Sequence, residues 1–404
     1  MRFARLALLG LAFLFHCLAS AQTITPLYPS SYLDQSGGCF SIRCFMYLQG
    51  FDGTSAITSN TGDGLGIQVR SGNPEWLVQQ TLTNPDYPPP SQFPWMDPAR
   101  PFGGPAAVYG NYILVTGTSS RYAFKDVVYM FARANNLWTH RQTFPLQRPA
   151  EFDRTIITDI VMDGDQALIN GVRASDSSPS EMLTRVEVYK RANGLYGRRA
   201  VLPLPGDQNQ YKDYELALKG TIAVVGDPDN ARVHVFENRP DGWIRTRTFV
   251  SDLAANGRFG ESVSLSGTTI AIAEPARVNA SDPAHLGGIH VYTKRNSQWV
   301  LEQRLQTPAG YETDAFTFGF RVALSGDRLL AGNTLQENSD SFPTAAFLFE
   351  RRDRWQSVAT LQLDSSLVTE QVALVGSTAI LRGDDFAYNN PGYVFELPLL
   401  WTLP

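Results

Sequence analysis

The chain has 404 residues but only three cysteines and five histidines. Cysteine this sparse excludes a disulfide-dense scaffold, and no CxxC pair is present to hold zinc or to run thiol exchange. CxxCH and GxSxG are absent, which leaves no haem attachment site and no nucleophile elbow. Helix-forming runs of Ala, Leu, Glu and Lys are missing. The glycine-containing strings turn hairpins rather than open helices, so they do not cradle phosphate. Charged residues make up 18% of the chain and the formal net charge is −5. No basic stripe matches a phosphate backbone, so nucleic acid is not an expected partner.

One long apolar run exists, and it lies at the N-terminus. Arg2 and Arg5 precede it, Leu6 to Leu18 form it, and Ala19-Ser20-Ala21 close it. This order reads as a signal peptide over residues 1–21. The run is too short for a convincing membrane span, and the rest of the chain offers no transmembrane segment. The expected location is secreted or periplasmic. In such a compartment Cys39 and Cys44 are expected to pair as a disulfide, a local staple ahead of the first repeat.

What the chain does have is turns, aromatics and a repeat. Between Phe259 and Pro308 lie four short β-type segments, Ser262 to Leu265, Thr269 to Ala273, Ile289 to Thr293 and Trp299 to Leu305. One such four-stranded unit cannot bury its own faces, whereas a stack of them can. A turn glycine between the first two segments recurs at Gly110, Gly164, Gly220, Gly267, Gly326 and Gly376, with an earlier copy at Gly53. The third segment carries an aromatic at Phe131, Tyr189, Phe236, Tyr292, Phe349 and Phe395. Two residues before each stand Tyr129, Glu187, His234, His290, Phe347 and Tyr393, on the same face by strand alternation. A second aromatic column follows at Trp76, Trp138, Tyr196, Trp243, Trp299, Trp355 and Trp401. Six of the seven tryptophans therefore share one register, and that repetition marks packing between units rather than ligand binding. The expected fold is all-β, a seven-bladed β-propeller of four-stranded antiparallel blades, with residues 22–404 as one domain. Closure of the ring removes long exposed sheet edges. Thr23 to Thr25 are expected to complete or flank the last blade, whose own repeat lacks a fourth strand.

The strings FGESVSLSG, IAIAEP and GGIHVY, and FGFRVALSG with AFLFERRDRW, resemble the FG-GAP repeats of integrin α-subunit propellers. They are more similar still to those of bacterial exported FG-GAP proteins. The resemblance implies a propeller and an extracytoplasmic binding habit. It does not carry over the family's calcium sites, because Asp163-Gly164-Asp165, Ser266-Gly267-Thr268 and Ser325-Gly326-Asp327 are too short for a DxDxDG-like cage.

Up-down topology puts the longer, polar connections at one end of the ring, where loops usually carry recognition. Candidate ligand-binding residues there are Trp95, Tyr122, Asp227, Asp229, Glu274, Asp384, Asp385 and Tyr388. Trp95 sits in a proline-rich inter-blade connection over residues 85–102. The leading expectation is a binding protein that recognises a protein or a glycan through this loop-rich face. The alternative is a carbohydrate-active enzyme, which would need two or more carboxylates converging at the central channel with raised proton affinity. The sequence implies no cofactor; the one candidate ion is calcium, which Asp227-Pro228-Asp229-Asn230 or Asp384-Asp385 could ligate with help from backbone oxygens.

Overall fold

The computed structural model describes residues 25–27, 31–32, 46–60, 66–71, 76–86, 102–122, 125–147, 152, 154–175, 182–205, 210–251, 257–275, 287–309, 316–335, 345–362, 368–384 and 392–398. These residues form seven sheets of four antiparallel strands, one of which gains a fifth, parallel strand. Blade 1 comprises Met46–Phe51, Ser55–Asn60, Gly66–Ser71 and Val78–Thr83, and blade 2 Phe102–Tyr109, Tyr112–Ser119, Lys125–Ala134 and Leu137–Pro145. Blade 3 comprises Arg154–Asp163, Gln166–Ala174, Met182–Ala192 and Leu195–Val201, and blade 4 Glu215–Lys219, Ile222–Asp227, Arg232–Arg239 and Gly242–Val250. Blade 5 comprises Val263–Ser266, Thr269–Glu274, Gly288–Arg295 and Gln298–Leu305, and blade 6 Phe316–Ser325, Arg328–Leu335, Ala345–Arg351 and Trp355–Gln362. Blade 7 takes Val368–Val375, Thr378–Asp384 and Gly392–Glu396 from the end of the chain. The first strands touch one another in cyclic order and blade 7 returns to blade 1, so the fold is a closed seven-bladed β-propeller.

The sequence builds each blade from inside out. The second strands are buried on both faces, as in Thr269–Glu274 and Ile222–Asp227, and carry small apolar residues to fit between neighbouring sheets. Among the described residues seven hydrophobic clusters form, one at each seam between adjacent blades. The cluster at the closing seam, with Leu48, Ala56, Trp76, Ile380 and Val394, is the smallest. The hairpin glycines take the left-handed conformation their turns require, with φ from 57° to 62° at Gly110, Gly164, Gly220, Gly267, Gly326 and Gly376. A bulge follows the aromatic column in blades 1 to 6, as the register slips at Val69/Arg70, His140/Gln142, Val188/Tyr189, Val235/Phe236, Val291/Tyr292 and Leu348/Phe349 show. Bulges in outer strands twist the exposed edge away from further pairing.

Side chains also tie blade to blade. In blade 5, Ser262, Ser264 and Ser266 accept hydrogen bonds from the backbone N–H groups of Val322, Leu324 and Gly326. Asp52, Asp163 and Ser325 accept in the same way from Gly110, Gly220 and Gly376. The residue before a turn glycine thus caps the turn glycine of the next blade. Farther out, a glutamine four residues after the column aromatic clamps the next blade's aromatic. Gln80 pairs with the backbone of Trp138, Gln142 with that of Tyr196 and Gln303 with that of Trp355, each donating to the carbonyl and accepting from the N–H at 2.8–2.9 Å. Gln303→Leu is expected to cost about 1–3 kcal/mol, because it leaves both backbone groups of Trp355 without their partner at a buried seam. Urea unfolding of the two proteins measures the loss, and an unchanged midpoint would show the clamp to be idle.

Closure differs from the sequence expectation. Thr25–Leu27 pair in parallel with Trp355–Gln362 and make the fifth strand of blade 6. Ser31–Tyr32 pair antiparallel with Gly392–Glu396 and complete blade 7. The arm therefore reaches the last blade several residues later than Thr23 to Thr25. Pro26, which donates no backbone hydrogen bond, is accommodated because it lies on an edge strand. The Cys39–Cys44 disulfide is a second correction. Among the described residues no Sγ–Sγ pair is present, and both cysteines lie outside those residues. Sequence spacing alone does not impose the short Cα separation a disulfide needs.

Candidate functional site at the channel mouth

Consecutive antiparallel strands put the connections between second and third strands at the same end as the links between blades. At this end each blade's first strand begins, and one column of residues stands five positions ahead of the turn glycine. It holds Asp159, Glu215, Ser262, Arg321 and Gln371 in blades 3 to 7. Bulges just before Asp159, Arg321 and Gln371 re-aim these side chains. Asp159 accepts from Leu216 N–H at 3.1 Å, Ser262 from Val322 N–H at 3.2 Å and Gln371 from Leu48 N–H at 2.9 Å. Glu215 instead meets Arg321, two blades on, at 3.6 Å. Arg321 also approaches Glu261 at 3.9 Å and donates to its backbone carbonyl at 3.2 Å.

Carboxylates outnumber cations here. Burial pushes the Glu215 carboxyl up to about 7; Arg321 opposes the shift, while Asp213 and Glu261 add to it. Asp159 is raised well above the usual carboxylate range by burial and then by Glu215, against the hydrogen bond from Leu216. Asp213 is raised by burial, with Asp229 adding to the shift and Arg321 opposing it. Two large apolar side chains, Ile156 and Tyr211, stand exposed in the same segments, close in sequence to Asp159 and Asp213. Three blades thus bring acids to one mouth beside exposed apolar surface.

The residues singled out from sequence divide. Asp229 is exposed, pairs with Lys212 at 3.5 Å and adds its charge to the field on Asp213. Asp227 is buried at the end of its strand and accepts from Asn230 at 2.7 Å. Glu274 belongs to a separate network. One of its oxygens accepts from Ser251, and the other meets His290 at 2.7 Å and Arg304 at 3.7 Å. Burial works to raise Glu274, but the bonds from His290 and Ser251 and the charge of Arg304 hold it below the usual carboxylate range. Tyr122 is half-buried and packs against the seam between blades 1 and 2. Asp384 ends a blade 7 strand, while its side chain and all of Trp95, Asp385 and Tyr388 lie outside the described residues. So does the proline-rich connection from 87 to 101.

Sequence reasoning missed Asp159, Glu215 and Arg321 because it sought charged site residues in loops rather than in strands, and it passed over Asp213 and Glu261 in the links between blades. A signal was present, since a charged residue recurs at one fixed distance before the turn glycine. The histidine column, by contrast, is structural. Three members of the column that holds His234 and His290 anchor links between blades, while His234 bonds Thr248 within its own blade at 3.0 Å. Tyr129 donates to Asp86 at 3.0 Å, Glu187 pairs with Arg173, which holds Gln147, and His290 meets the Glu274 that binds Ser251.

Among the described residues no group of three or more His, Cys, Asp and Glu side chains could hold a metal ion, and no helix is long and apolar enough to cross a membrane. No family model and no curated protein sequence matches the chain, so the FG-GAP resemblance is left without support as a family assignment. Solved structures do match. A chain of the mitotic checkpoint complex aligns with a TM-score of 0.53 and 12% identity, over 98% of this chain and 99% of that one. The β-propeller domain of Cps50 (Swd1) from Myceliophteria thermophila aligns with a TM-score of 0.50 and 11% identity, over 88% of this chain and 99% of that one. A prolyl endopeptidase aligns with a TM-score of 0.53 and 11% identity, over 87% of this chain but only 46% of its own length. At such identities the likeness is one of fold, and the fold the chain shares with these proteins is the β-propeller.

Proposed function

We propose that the chain is a binding protein that docks a protein partner on its loop-rich end. The observation that carries this reading is the meeting of Asp159, Asp213, Glu215 and Glu261 at the channel mouth, with Tyr211 and Ile156 exposed nearby. An exposed aromatic beside a cluster of acids suits a partner that presents lysine or arginine next to an apolar side chain. Likeness to a component of a multiprotein complex agrees with the reading, though propellers host many functions. The leader-like residues 1–21 support an extracytoplasmic setting, secreted or periplasmic. A synthetic peptide of alternating lysine and leucine, compared with its glutamate counterpart, tests the reading by fluorescence polarisation. The basic peptide should bind, lose affinity as salt rises, and lose about tenfold on Tyr211→Ala. Equal binding of both peptides, or no effect of the variant, rejects it.

A second reading, a carbohydrate-active enzyme, has one observation in its favour. Glu215, poised near 7, stands in the electrostatic reach of Asp159, as a general acid beside a second carboxylate would. Release of reducing sugar from a polysaccharide panel, lost in Glu215→Gln, would establish it over the binding reading. Glycan binding without turnover would point to a lectin.

A further inference from the structure

We propose that the seam between blades 2 and 3 holds a small oxyanion of phosphate or sulfate size, bound by Arg191 and Tyr196 at the end of the ring opposite the loop-rich mouth. The proposal stands whatever that mouth binds. Arg191 lies near the end of the third strand of blade 3, and Tyr196 near the start of the fourth. Tyr112 opens the second strand of blade 2, two residues after Gly110. The Arg191 guanidinium lies on the face of Tyr112, 3.3 Å from its ring centroid, and stands 5.9 Å from that of Tyr196. Tyr196 is 4% exposed and belongs to the hydrophobic cluster of this seam. Its hydroxyl and the Nη1 of Arg191 are both shielded from water, and neither has a hydrogen-bond partner among the described residues. Two polar groups left unpaired in one buried place are costly.

Other blades show what this cation lacks. A basic residue stands two positions after the third-strand aromatic at Arg133, Arg191, Lys294 and Arg351. Arg133 donates to the side chain of Asn111 at 3.1 Å. Lys294 pairs with Glu237 of the preceding blade at 2.9 Å. Arg351 donates to Asp327 at 2.7 Å and pairs with Glu302 of the preceding blade at 3.4 Å. Asn111 and Asp327 each follow their turn glycine. Blade 3 has Asp165 in that position, but Asp165 pairs with Lys190 at 3.5 Å. Asp163, on the other side of the same glycine, pairs with Lys219 at 2.7 Å. Glu302 is the bulge residue of its strand, and the bulge residue of blade 2 is Arg141. Where blade 5 sets an acid in register for Arg351, blade 2 sets a second cation in the same register for Arg191.

An oxyanion answers each of these deficits. Its oxygens accept from the Nη1 of Arg191 and from the hydroxyl of Tyr196, and its charge offsets a guanidinium that no carboxylate meets among the described residues. Stacking on Tyr112 leaves the N–H fork of Arg191 free to point outward in its own plane, the arrangement that suits phosphate and sulfate. Tyr196 remains a donor at neutral pH. Burial is the main reason its proton affinity is raised; Arg191 opposes the shift, while Asp165 and Tyr112 add to it, so the four groups share one neighbourhood. Asp165 opposes an anion there, but Lys190 offsets its charge. A buried water accepts the same two hydrogen bonds and leaves the charge of Arg191 unmet.

The test is isothermal titration of the full chain with inorganic phosphate, at an ionic strength held constant with sodium chloride. Phosphate should bind with a Kd of about 1 mM or tighter. Tyr196→Phe should weaken binding about tenfold, and Arg191→Met should abolish it. In phosphate-free buffer Tyr196→Phe should melt with wild type, because it deletes only an unpaired hydroxyl. Should the buried variants not fold, Arg141→Gln on the exposed bulge serves instead and should weaken binding about threefold. Phenyl phosphate separates the two sources of such a group. Its exclusion supports the free ion, and its binding supports the same site filled by a phosphoryl group on a larger molecule. No heat from phosphate, with a lower melting temperature in Tyr196→Phe, would mean a buried water only and overturns the site. Equal phosphate affinity in wild type and every folded variant overturns it as well.

Discussion

Arg173→Met should destabilise the protein by about 3–5 kcal/mol, among the largest losses available to a single polar substitution in this fold. Arg173 and Glu187 are both fully buried in blade 3 and pair directly. The guanidinium also donates to the carbonyl of Gly171, and to that of Gln147 at 3.1 Å. Tyr189 donates its hydroxyl to the other oxygen of Glu187 at 2.8 Å. Burial lowers the proton affinity of Arg173 even though Glu187 pulls it up, so desolvation is the larger effect on this side chain. The pair is therefore not a strong source of stability by itself. Its loss is costly because the remaining member keeps a charge with no water to solvate it. The double variant Arg173→Met/Glu187→Leu should recover most of the loss, and a double-mutant cycle in chemical denaturation measures the coupling. Additive losses in the double variant would show that the two side chains do not depend on each other.

The Arg173–Glu187 pair also shows where sequence reading stops. Glu187 was visible as the odd member of a column otherwise filled by Tyr, His and Phe. Its partner was not, because Arg173 lies in another strand and only the sheet register brings Thr184 to Val172 and Glu187 to Ile169. Blade boundaries were legible because glycine, aromatic and alternation signals repeat, so each copy corrects the others. The four segments read between Phe259 and Pro308 lie within one or two residues of the observed strands of blade 5. Closure was less legible. Ser31–Tyr32 pair for only two residues, too few for any alternation to register. Their placement comes from an unpaired edge on blade 7 rather than from local preference. The channel acids were hidden for a similar reason. Asp159 and Glu215 sit in strands, where acids are usually solvated faces, and they converge only because the ring brings first strands together.

Gly226→Ala is expected to cost about 2–4 kcal/mol, more than Gly220→Ala, although a reading by sequence would rank the turn glycine first. Gly220 has φ of 57°, and a methyl group added there meets nothing within 4 Å. Alanine at that position bears only the left-handed backbone penalty, about 1–2 kcal/mol. Gly226 is a strand residue outside the left-handed region. A Cβ on it would lie 2.3 Å from the carbonyl oxygen of Gly260 in the link that enters blade 5. Backbone meets backbone there, so no side chain can rotate away. Gly260 has little freedom to retreat. Its φ is 94°, its N–H donates to Ala273 at 2.9 Å, and Arg232 and Val233 stand against it. The strand Ile222–Asp227 is buried throughout and cannot shift outward without opening two seams. Relief must come from parting blades 4 and 5. Thermal unfolding of the two variants ranks them, and hydrogen exchange locates the damage. Loss of protection should centre on Ile222–Asp227 and Val263–Ser266 in Gly226→Ala, whereas Gly220→Ala should loosen only its own hairpin. The reverse ranking would mean that backbone strain at the hub governs this ring more than the closeness of its blades.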